Sequence, residues 1–407
     1  MRAILTSFGS GGNTQPVLAL ALRLRKQGHH VTLAMQPKDV SRSKRMGFEF
    51  IPLQEAVSVN GKPQRDLLAE MVQDPSKFRS LEHMNTVGEN QASAMPEIFK
   101  RLSAATREAD VLVSMANMPV GRMVHEITGI PFIAFHTFYL TGSESELGKE
   151  GTPVFREITS MYVNRFREEL GLPPLNDPMT RNGDSPDLTL FAISRHVVPR
   201  PENWPPHYHM PGYFFLDEDN WEPDSALVSF IESGAPPVVI SFGSIPYHDP
   251  DAVTELLVEA IRLSGHRAII QKGNSGLGRK TLSRDILAVD YVPHSWLFQR
   301  ASCVVHHAGS GTTAAAIRAG VPSVCIPHLF DQPVWARLAH GLGCAGEPIR
   351  FSQLSPELLS SAIVDEINNS DHRKAVAALG EKVRSERGVE RACQLIEELM
   401  EKKTSEM

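Results

Sequence analysis

The chain has 407 residues, 42% of them hydrophobic and 22% charged, which is the composition of a globular protein of about two domains. Its net charge of −6 argues against nucleic-acid binding as its main function. No apolar run approaches the roughly 20 residues that span a bilayer, and residues 1–9 are too soon interrupted to form a signal peptide. We therefore predict a cytoplasmic protein without a transmembrane segment, and the sequence leaves its oligomeric state open.

The first half of the chain alternates short apolar runs with helical patterns. A helix predicted over 16–27 has Pro16 in its first turn and Gly28 at its C-terminal end, the positions that these residues favour. Predicted strands cover residues 2–8, 31–35, 48–53, 110–115, 131–138 and 187–194, and a second helix lies near 120–128. Alternation of this kind indicates a parallel, doubly wound α/β sheet.

A change of composition near residue 212 divides the chain. Prolines are frequent over 198–206, and the acidic, turn-forming residues 217–220 follow. A second α/β series then begins, with strands predicted over 238–242, 267–271 and 286–291, a helix over 251–264 and a last helical pattern over 391–402. We predict an N-terminal domain over 1–212, a linker over 213–224, a C-terminal domain over 225–385, and a C-terminal helix over 386–407 that packs back on the N-terminal domain.

The four cysteines are far apart in the sequence and form no CxxC pair; they are Cys303, Cys325, Cys344 and Cys393. This spacing fits a reducing compartment. We therefore expect all four to be small, buried, apolar residues.

Residues 304–336 carry the most functional information. A buried strand runs up to His307, and a turn of small residues, Ala308-Gly309-Ser310-Gly311-Thr312-Thr313, leads into a predicted helix. Small residues let backbone N–H groups approach an anion closely, and the N-terminal end of a helix is partially positive. The sequence therefore predicts a phosphate or diphosphate site. His306 points to the opposite face of the strand from His307 and is expected to be a packed or hydrogen-bonded residue.

The first domain has a comparable loop of small residues, Gly9-Ser10-Gly11-Gly12-Asn13, after its first strand. In open α/β sheets, ligands bind at the carboxyl ends of the strands. Two such domains placed face to face would form a deep cleft. We expect the second loop to hold the anion there, and the first to supply the partner molecule and any catalytic group.

These features resemble the inverting glycosyltransferases of the UDP-glycosyltransferase superfamily, above all bacterial members that glycosylate natural products, sterols or other small lipophilic acceptors. Asp331 follows His307 by 24 residues, the separation found in the donor-binding motif of that family. The resemblance implies the α/β GT-B fold, in which two doubly wound Rossmann-like domains face each other across a cleft. It also implies metal-independent transfer of a hexose or deoxyhexose from a UDP- or dTDP-sugar to a small apolar acceptor, with the nucleotide sugar as substrate and no cofactor.

The resemblance assigns roles mainly to residues of the second domain. Tyr291, Val292 and His294 occupy the segment that holds the nucleotide base. His307 stands where a histidine donates to a diphosphate oxygen, and Asp331 and Gln332 stand where sugar hydroxyls are bound. The other donor-binding positions are Gly11, Gly12, Ser244, Gly309, Ser310, Gly311 and Thr312.

Two positions depart from the family at the chemical centre. The general base of the family, His or Asp, stands three residues before the proline of the first helix, and here that residue is Asn13, which cannot accept a proton near neutral pH. The supporting Asp of the family, at the end of the fourth strand, is replaced by Met115. Three explanations follow: another base, with His136 first and Glu144 or Glu146 next; an acceptor that needs little deprotonation; or a protein that binds without turnover.

A third departure concerns the donor. Many members of the family carry a Glu that bonds the ribose hydroxyls three residues after the Thr312 position, and here that residue is Ala315. A dTDP-sugar, which lacks the 2′-hydroxyl, loses less from this change than a UDP-sugar does.

Other functions fit the sequence less well. Residues 9–12 follow the first strand as in a dinucleotide-binding fingerprint, but Thr14 occupies the third glycine position. His207 and His209 have strand spacing without an evident third ligand, so no metal site is predicted. A catalytically silent GT-B binding protein and a nucleotide-sugar epimerase are the alternatives to a transferase.

Overall fold

The computed structural model describes residues 1–9, 11–55, 58, 61–116, 118–137, 153–178, 183–218, 221–279 and 282–406. The chain divides into two compact units. The first comprises Met1–Leu67, Ser76–Leu216 and Glu386–Met407, and the second Leu68–Pro75 and Asp217–Ser385. The grouping of Leu68–Pro75 with the second unit has no counterpart in the sequence-based prediction.

A seven-stranded parallel sheet forms the centre of the first unit. Its strands are β1 (Arg2–Thr6), β2 (His30–Met35), β3 (Glu49–Pro52), β4 (Val111–Met115), β5 (Phe132–His136), β6 (Leu188–Phe191) and β7 (Tyr208–His209). They lie in the order β3-β2-β1-β4-β5-β6-β7. Among the described residues that precede residue 217, the α-helices are α1 (Gly11–Lys26), α2 (Val40–Arg45), α3 (Gln64–Gln73), α4 (Leu81–Ala92), α5 (Met95–Ala105), α6 (Val120–Thr128) and α7 (Pro153–Glu169). The predicted parallel α/β architecture is confirmed.

Both faces of the central strands β1, β4, β5 and β6 are buried, which explains why these strands read as nearly continuous apolar runs. Successive residues of a strand point to opposite faces. Leu5 packs in one core with residues of α1, whereas its neighbour Ile4 packs in another with residues of α5 and α6.

Helix α1 begins earlier than the sequence-based prediction. We expected Pro16 in its first turn, but the helix starts at Gly11 and Pro16 lies inside it. Proline lacks an N–H group, so the bond to the carbonyl one turn earlier is missing there. As a result, Gly11, Gly12 and Asn13 belong to the first turn of α1 and not to a loop before it.

The second unit is built on a five-stranded parallel sheet. Its strands are β8 (Val238–Ser241), β9 (Ala268–Gln271), β10 (Ile286–Val289), β11 (Cys303–His306) and β12 (Ser323–Cys325), in the order β10-β9-β8-β11-β12. Its helices are α8 (Ser225–Glu232), α9 (Pro250–Ser264), α10 (His294–Leu297), α11 (Ser310–Ala319), α12 (Gln332–Gly341), α13 (Pro356–Asn368) and α14 (Ser370–Ser385). The carboxyl ends of the central strands β8 and β11 lie side by side, which brings the loops that follow them together.

The last helix, α15 (Gly388–Glu406), returns to the first unit. It packs against α1 in the core that also contains Leu5, and it contributes four buried residues there, Ala392, Cys393, Leu395 and Ile396. The prediction for the cysteines is confirmed, because all four are free and buried. In the described part of the chain, no helix combines the length and the apolar character that a membrane span requires.

Candidate functional site

The small-residue turn lies at the carboxyl end of β11 and leads into α11. Gly309 directly precedes the helix, and its extended backbone (φ −64°, ψ 146°) directs the chain into the first turn. Glycine has no side chain that could cap the helix, and the first turn of α11 contains no acidic residue. The N–H groups of that turn and the positive end of the helix dipole therefore suit an anion.

His306 stabilises this turn through a hydrogen bond to its backbone. Its ring is fully buried, and its Nδ1 accepts a hydrogen bond of 3.0 Å from the N–H of Ala308. Burial lowers the pKa of His306 to about 3, so the ring is neutral and can act as this acceptor. Ala308 has a φ of 58°, a left-handed conformation that costs a non-glycine residue energy. The expectation that His306 is a packed, hydrogen-bonded residue is confirmed.

His307 lies between two loops. Its Nδ1 is 3.5 Å from the carbonyl oxygen of Ser241, and its ring is in contact range of Gly243 and Gly309, where an added Cβ would come within 3.2 Å and 2.5 Å of ring atoms. Burial lowers the pKa of His307 to about 4, against the opposing effect of the Ser241 carbonyl. The ring is therefore neutral at pH 7 before any anion binds, and a diphosphate beside it would favour the charged form.

We expect Gly309→Ala to weaken binding of a nucleoside-diphosphate sugar about tenfold or more, since hydrogen bonds to charged groups contribute about 1.5–3 kcal/mol. The new Cβ would lie 2.5 Å from Nε2 of His307 and would force the ring to turn. The backbone at Gly309 suits alanine, because its φ is −64°. Titration calorimetry measures the loss.

Gly341→Ala is the matched control, because nothing lies within 4 Å of its added Cβ. Unchanged affinity in Gly309→Ala would show that the position of the His307 ring does not matter for the donor. A folded variant is expected in both cases.

A buried polar network holds the segment that the resemblance assigns to the nucleotide base. Gln271, at the end of β9, donates from Nε2 to the carbonyl oxygen of Val292 at 2.6 Å, and its Oε1 accepts from the hydroxyl of Ser241 at 2.8 Å. Nε2 of His294 lies 3.1 Å from the same Oε1. Ser241 thus links this segment to His307, since its carbonyl faces the His307 ring. The network fixes the backbone at Val292.

Tyr291 is exposed, unlike the buried residues of this network. Its side chain is 47% exposed, and its hydroxyl donates to Oε1 of Glu218 at 2.5 Å. An exposed aromatic ring of fixed orientation can stack on a nucleotide base. Ser244, in the loop after β8, is also exposed.

Asp331 and Gln332 stand at the start of α12, and their side chains form different hydrogen bonds within the protein. Asp331 accepts a hydrogen bond of 2.7 Å from the indole of Trp335, and burial raises the pKa of its carboxyl to about 6. Oε1 of Gln332 accepts from the N–H groups of His328 and Leu329 at 2.8 and 2.9 Å. The Gln332 oxygen therefore holds the loop before α12.

The loop before α12 has a support that the sequence analysis missed. Nδ1 of His328 lies 2.6 Å from the carbonyl oxygen of Ile326, and its Nε2 lies 2.9 Å from the hydroxyl of Tyr247. Since a carbonyl only accepts, Nδ1 carries the proton and Nε2 accepts from the tyrosine. Phe330 in this loop has a φ of 52°. Phe330 and Ala308 are the two non-glycine residues with positive φ in the described ranges, and each precedes a helix of the predicted site.

In the first unit, the side chain of Asn13 is used to hold the backbone. Its Nδ2 donates to the carbonyl oxygen of Phe8 at 3.0 Å, and its Oδ1 accepts from the hydroxyl of Thr137 at 3.3 Å. Gly11 and Gly12 precede it at exposed positions. Met115 is buried, and its sulfur accepts a bond of 3.4 Å from the hydroxyl of Ser7. Neither Asn13, at the position of the family's general base, nor Met115, at the position of its supporting Asp, therefore offers a base.

His136 ends β5 and is paired with a carboxylate. Its Nε2 lies 2.6 Å from Oδ1 of Asp184, a contact between residues 48 positions apart in sequence that no local pattern indicated. The alternative bases Glu144 and Glu146 lie outside the described residues.

Family models match both parts of the chain. Residues 3–143 match the glycosyltransferase family 28 N-terminal domain, and residues 255–399 match the C-terminal domain of erythromycin biosynthesis protein CIII-like proteins. The two matches lie in separate parts of the chain, and the N-terminal one is to a glycosyltransferase family.

Similar proteins extend this assignment over the whole chain. O-mycaminosyltylonolide 6-deoxyallosyltransferase of Streptomyces fradiae is 31% identical, and the alignment covers 100% of this chain and 99% of that protein. A sterol 3-beta-glucosyltransferase of Arabidopsis thaliana is also 31% identical over 89% of this chain, which spans 60% of that relative's length. The solved glycosyltransferase of kitacinnamycin has the same fold, with a TM-score of 0.74, 22% identity and 98% of both chains covered.

Two parallel-sheet α/β units with these neighbours define a GT-B architecture. The chain belongs to the GT-B glycosyltransferases, and it is a glycosyltransferase enzyme. The fold class and the family expected from the sequence are confirmed.

Proposed function

We propose that this glycosyltransferase moves a hexose or deoxyhexose from a UDP- or dTDP-sugar to a small, largely apolar acceptor. The observation that carries the proposal is the glycine-preceded N-terminus of α11 beside the His307 ring in the second unit. A helix N-terminus, the hydroxyls of Ser310 and Thr312 and a histidine together suit a diphosphate. Asp331 and the amide of Gln332 suit a polyhydroxylated sugar.

The proposed chemistry is a single displacement without a metal. The acceptor attacks the anomeric carbon from the side opposite the diphosphate, which inverts the configuration of that carbon. Negative charge grows on the leaving diphosphate, where the α11 N-terminus and His307 can stabilise it. Activity that persists in the presence of a strong chelator would support this part of the proposal.

The similar proteins support the choice of substrates. One relative is named for transfer of a 6-deoxyallosyl group to a tylonolide, and others for transfer of glucose to sterols. A Streptomyces glycosyltransferase of the same fold was solved with thymidine diphosphate, at a TM-score of 0.67 and 19% identity. Ala315, which offers no hydrogen bond to a 2′-hydroxyl, agrees with a thymidine nucleotide.

The test is a screen of UDP- and dTDP-sugars for stabilisation against heat, followed by transfer assays with macrolide aglycones and sterols. A donor present at 100 times its dissociation constant adds about 2.7 kcal/mol to the stability of the unit that binds it. We expect stabilisation by at least one donor, followed by an acceptor-dependent glycosylated product. Acceptor-independent conversion of the sugar would indicate an epimerase. Binding without any turnover would indicate a silent binding protein.

A further inference from the structure

A buried polar cluster lies at the carboxyl end of β5 in the first unit, and it contains none of the residues that we assign to the donor. His136 is 10% exposed and Asp184 is 3% exposed, and their side chains are 2.6 Å apart. The other carboxylate oxygen of Asp184 accepts a hydrogen bond of 2.6 Å from the hydroxyl of Tyr208. Burying a carboxylate is costly, so a cluster that satisfies both of its oxygens is a specific arrangement.

The cluster determines which nitrogen of His136 carries the proton. The Asp184 carboxylate accepts a hydrogen bond from Nε2 of His136. In the neutral ring the proton is therefore on Nε2, and Nδ1 is the basic nitrogen. In the part of the chain that the structure describes, no hydrogen bond to Nδ1 is formed. The carboxylate would also stabilise the imidazolium after Nδ1 takes up a proton.

Aromatic residues hold the plane of the ring. The His136 ring stacks on Phe191 with centroids 4.5 Å apart and an interplanar angle of 3°, and Phe191 stacks on Trp204 at 4.2 Å. A fixed ring keeps Nδ1 in one position. Such positioning by neighbouring groups is what general-base catalysis requires.

The cluster lies next to the place where the family carries its base. Thr137 follows His136 directly, and its hydroxyl donates to Oδ1 of Asn13 at 3.3 Å. The end of β5 and the first turn of α1 therefore meet. Asn13 cannot take a proton, and the neighbouring His136 can.

We propose that His136 is the general base of this enzyme and that Asp184, supported by Tyr208, is the residue that positions it. This inference rests on the proposed transfer reaction. Nδ1 of His136 removes the proton of the acceptor hydroxyl while the acceptor oxygen forms the bond to the anomeric carbon. The bond from that carbon to the diphosphate oxygen breaks, and its electron pair leaves with the diphosphate. The imidazolium then releases its proton to solvent.

The decisive variant is Asp184→Asn, which keeps the shape of the side chain and removes its charge. We expect kcat for transfer to fall about 100-fold or more, because an amide permits the wrong tautomer and stabilises the imidazolium poorly. The dissociation constant of the donor should stay within about twofold, since the donor binds elsewhere. His136→Gln should lower kcat at least as much.

A pH profile separates positioning from a structural role. Among the described residues, the charged and titratable groups in the cluster with His136 are Asp184, Tyr208 and Arg122, whose guanidinium contacts the backbone carbonyl of Asp184 and pairs with Glu126. Asp184→Asn removes the negative charge that faces the proposed base, so the position of the acidic limb of the kcat profile should change in this variant. If Asp184 had only a structural role, Asp184→Asn would lower the fraction of folded enzyme and leave the pH profile of kcat unchanged.

His125→Gln is the matched control. His125 also stacks on an aromatic ring, Phe132, and bonds a backbone carbonyl through Nδ1, but it has no carboxylate partner in the described contacts. Its variant should retain kcat within about threefold.

A measurement without substrate completes the test. Nitrogen NMR of histidine-labelled enzyme should show the Nε2–H tautomer of His136 and its loss in Asp184→Asn. Full transfer by His136→Gln would overturn the inference and leave the proposed function intact. Failure of the wild-type enzyme to transfer from any donor would remove the proposed function and this inference with it.

Discussion

Replacing His307 by alanine is expected to weaken binding of a nucleoside-diphosphate sugar about 10- to 100-fold, the value of one hydrogen bond to a charged group. His307 is the one basic side chain that we place against the diphosphate, next to the N-terminus of α11. Removal of the ring leaves the helix dipole and backbone N–H groups in place, so binding should be weakened and not abolished. Titration calorimetry with a donor sugar measures the change.

His340→Ala is the matched control, since His340 lies in the same unit at an exposed position and bonds the carbonyl oxygen of Ala345. It should leave donor affinity unchanged. Equal affinity of His307→Ala and wild type would refute the assignment of the diphosphate to this turn.

The pH dependence of binding gives a second readout. Burial lowers the pKa of His307 to about 4 in the unliganded protein, and an adjacent diphosphate raises it. A group whose pKa rises on binding makes binding tighter as the pH falls, down to the pKa of the free protein. Asp331, with a pKa of about 6, titrates in the same range and also contributes to the pH dependence of donor affinity. The contribution of His307 is the part of that pH dependence that His307→Ala removes.

Glu126→Gln is expected to destabilise the first unit by about 3–5 kcal/mol, the usual cost of breaking a buried ion pair. Oε2 of Glu126 lies 2.7 Å from Nη1 of Arg167, whose side chain is 1% exposed. The guanidinium also donates from Nε to the carbonyl oxygen of Pro173. Without the carboxylate, a buried positive charge loses its partner. Scanning calorimetry should show a midpoint roughly 6–20 °C lower for this unit.

The exposed pair Glu97–Arg101 supplies the control. These residues lie one turn apart on α5 at 2.7 Å, with about a third of each side chain exposed, so Glu97→Gln should leave the midpoint unchanged. A similar midpoint for Glu126→Gln and wild type would show that Arg167 does not depend on this carboxylate.

The effect of Glu126→Gln should shrink in acid. Burial alone raises the pKa of Glu126, but the hydrogen bonds and charges of Arg167 and Arg122 outweigh it, and the net pKa is below the ordinary value of 4.5. A lowered pKa contributes stability above the ordinary value and loses that contribution as the pH falls through the folded-state pKa. The difference between variant and wild type should therefore be full at pH 7 and smaller below pH 4.5.

The sequence predicted those parts of the fold that depend on local patterns. Buried strands read as apolar runs, and the bounds of α6 agree with the pattern around residues 120–128. Helix α1 was predicted too short, because Pro16 was given its statistical preference for the first turn, whereas small residues before it extend the helix. The helices between residues 64 and 105 were not predicted, although the buried residues Met95, Ile98 and Leu102 of α5 follow helical spacing.

The same distinction applies to the site. The residues of the turn around His307 are continuous in sequence, so an anion site could be predicted there from local pattern alone. The pairing of His136 with Asp184 joins β5 to a segment 48 residues later, and only the order of strands brings them together. The engagement of the Gln332 oxygen by two backbone N–H groups is likewise invisible in the sequence. Tertiary contacts of this kind determine which of the expected groups are available to a ligand.

The return of α15 to the first unit has a consequence for the order of events during synthesis. Residues 217–385, most of the second unit, leave the ribosome as one continuous stretch, whereas the core of the first unit lacks Cys393 and Ile396 until translation reaches them. At about 5–20 residues per second, synthesis from residue 217 to residue 396 takes roughly 10–40 s. During that interval the apolar side of α1 has no C-terminal partner. The half of the enzyme that is made first is therefore the half that completes its packing last.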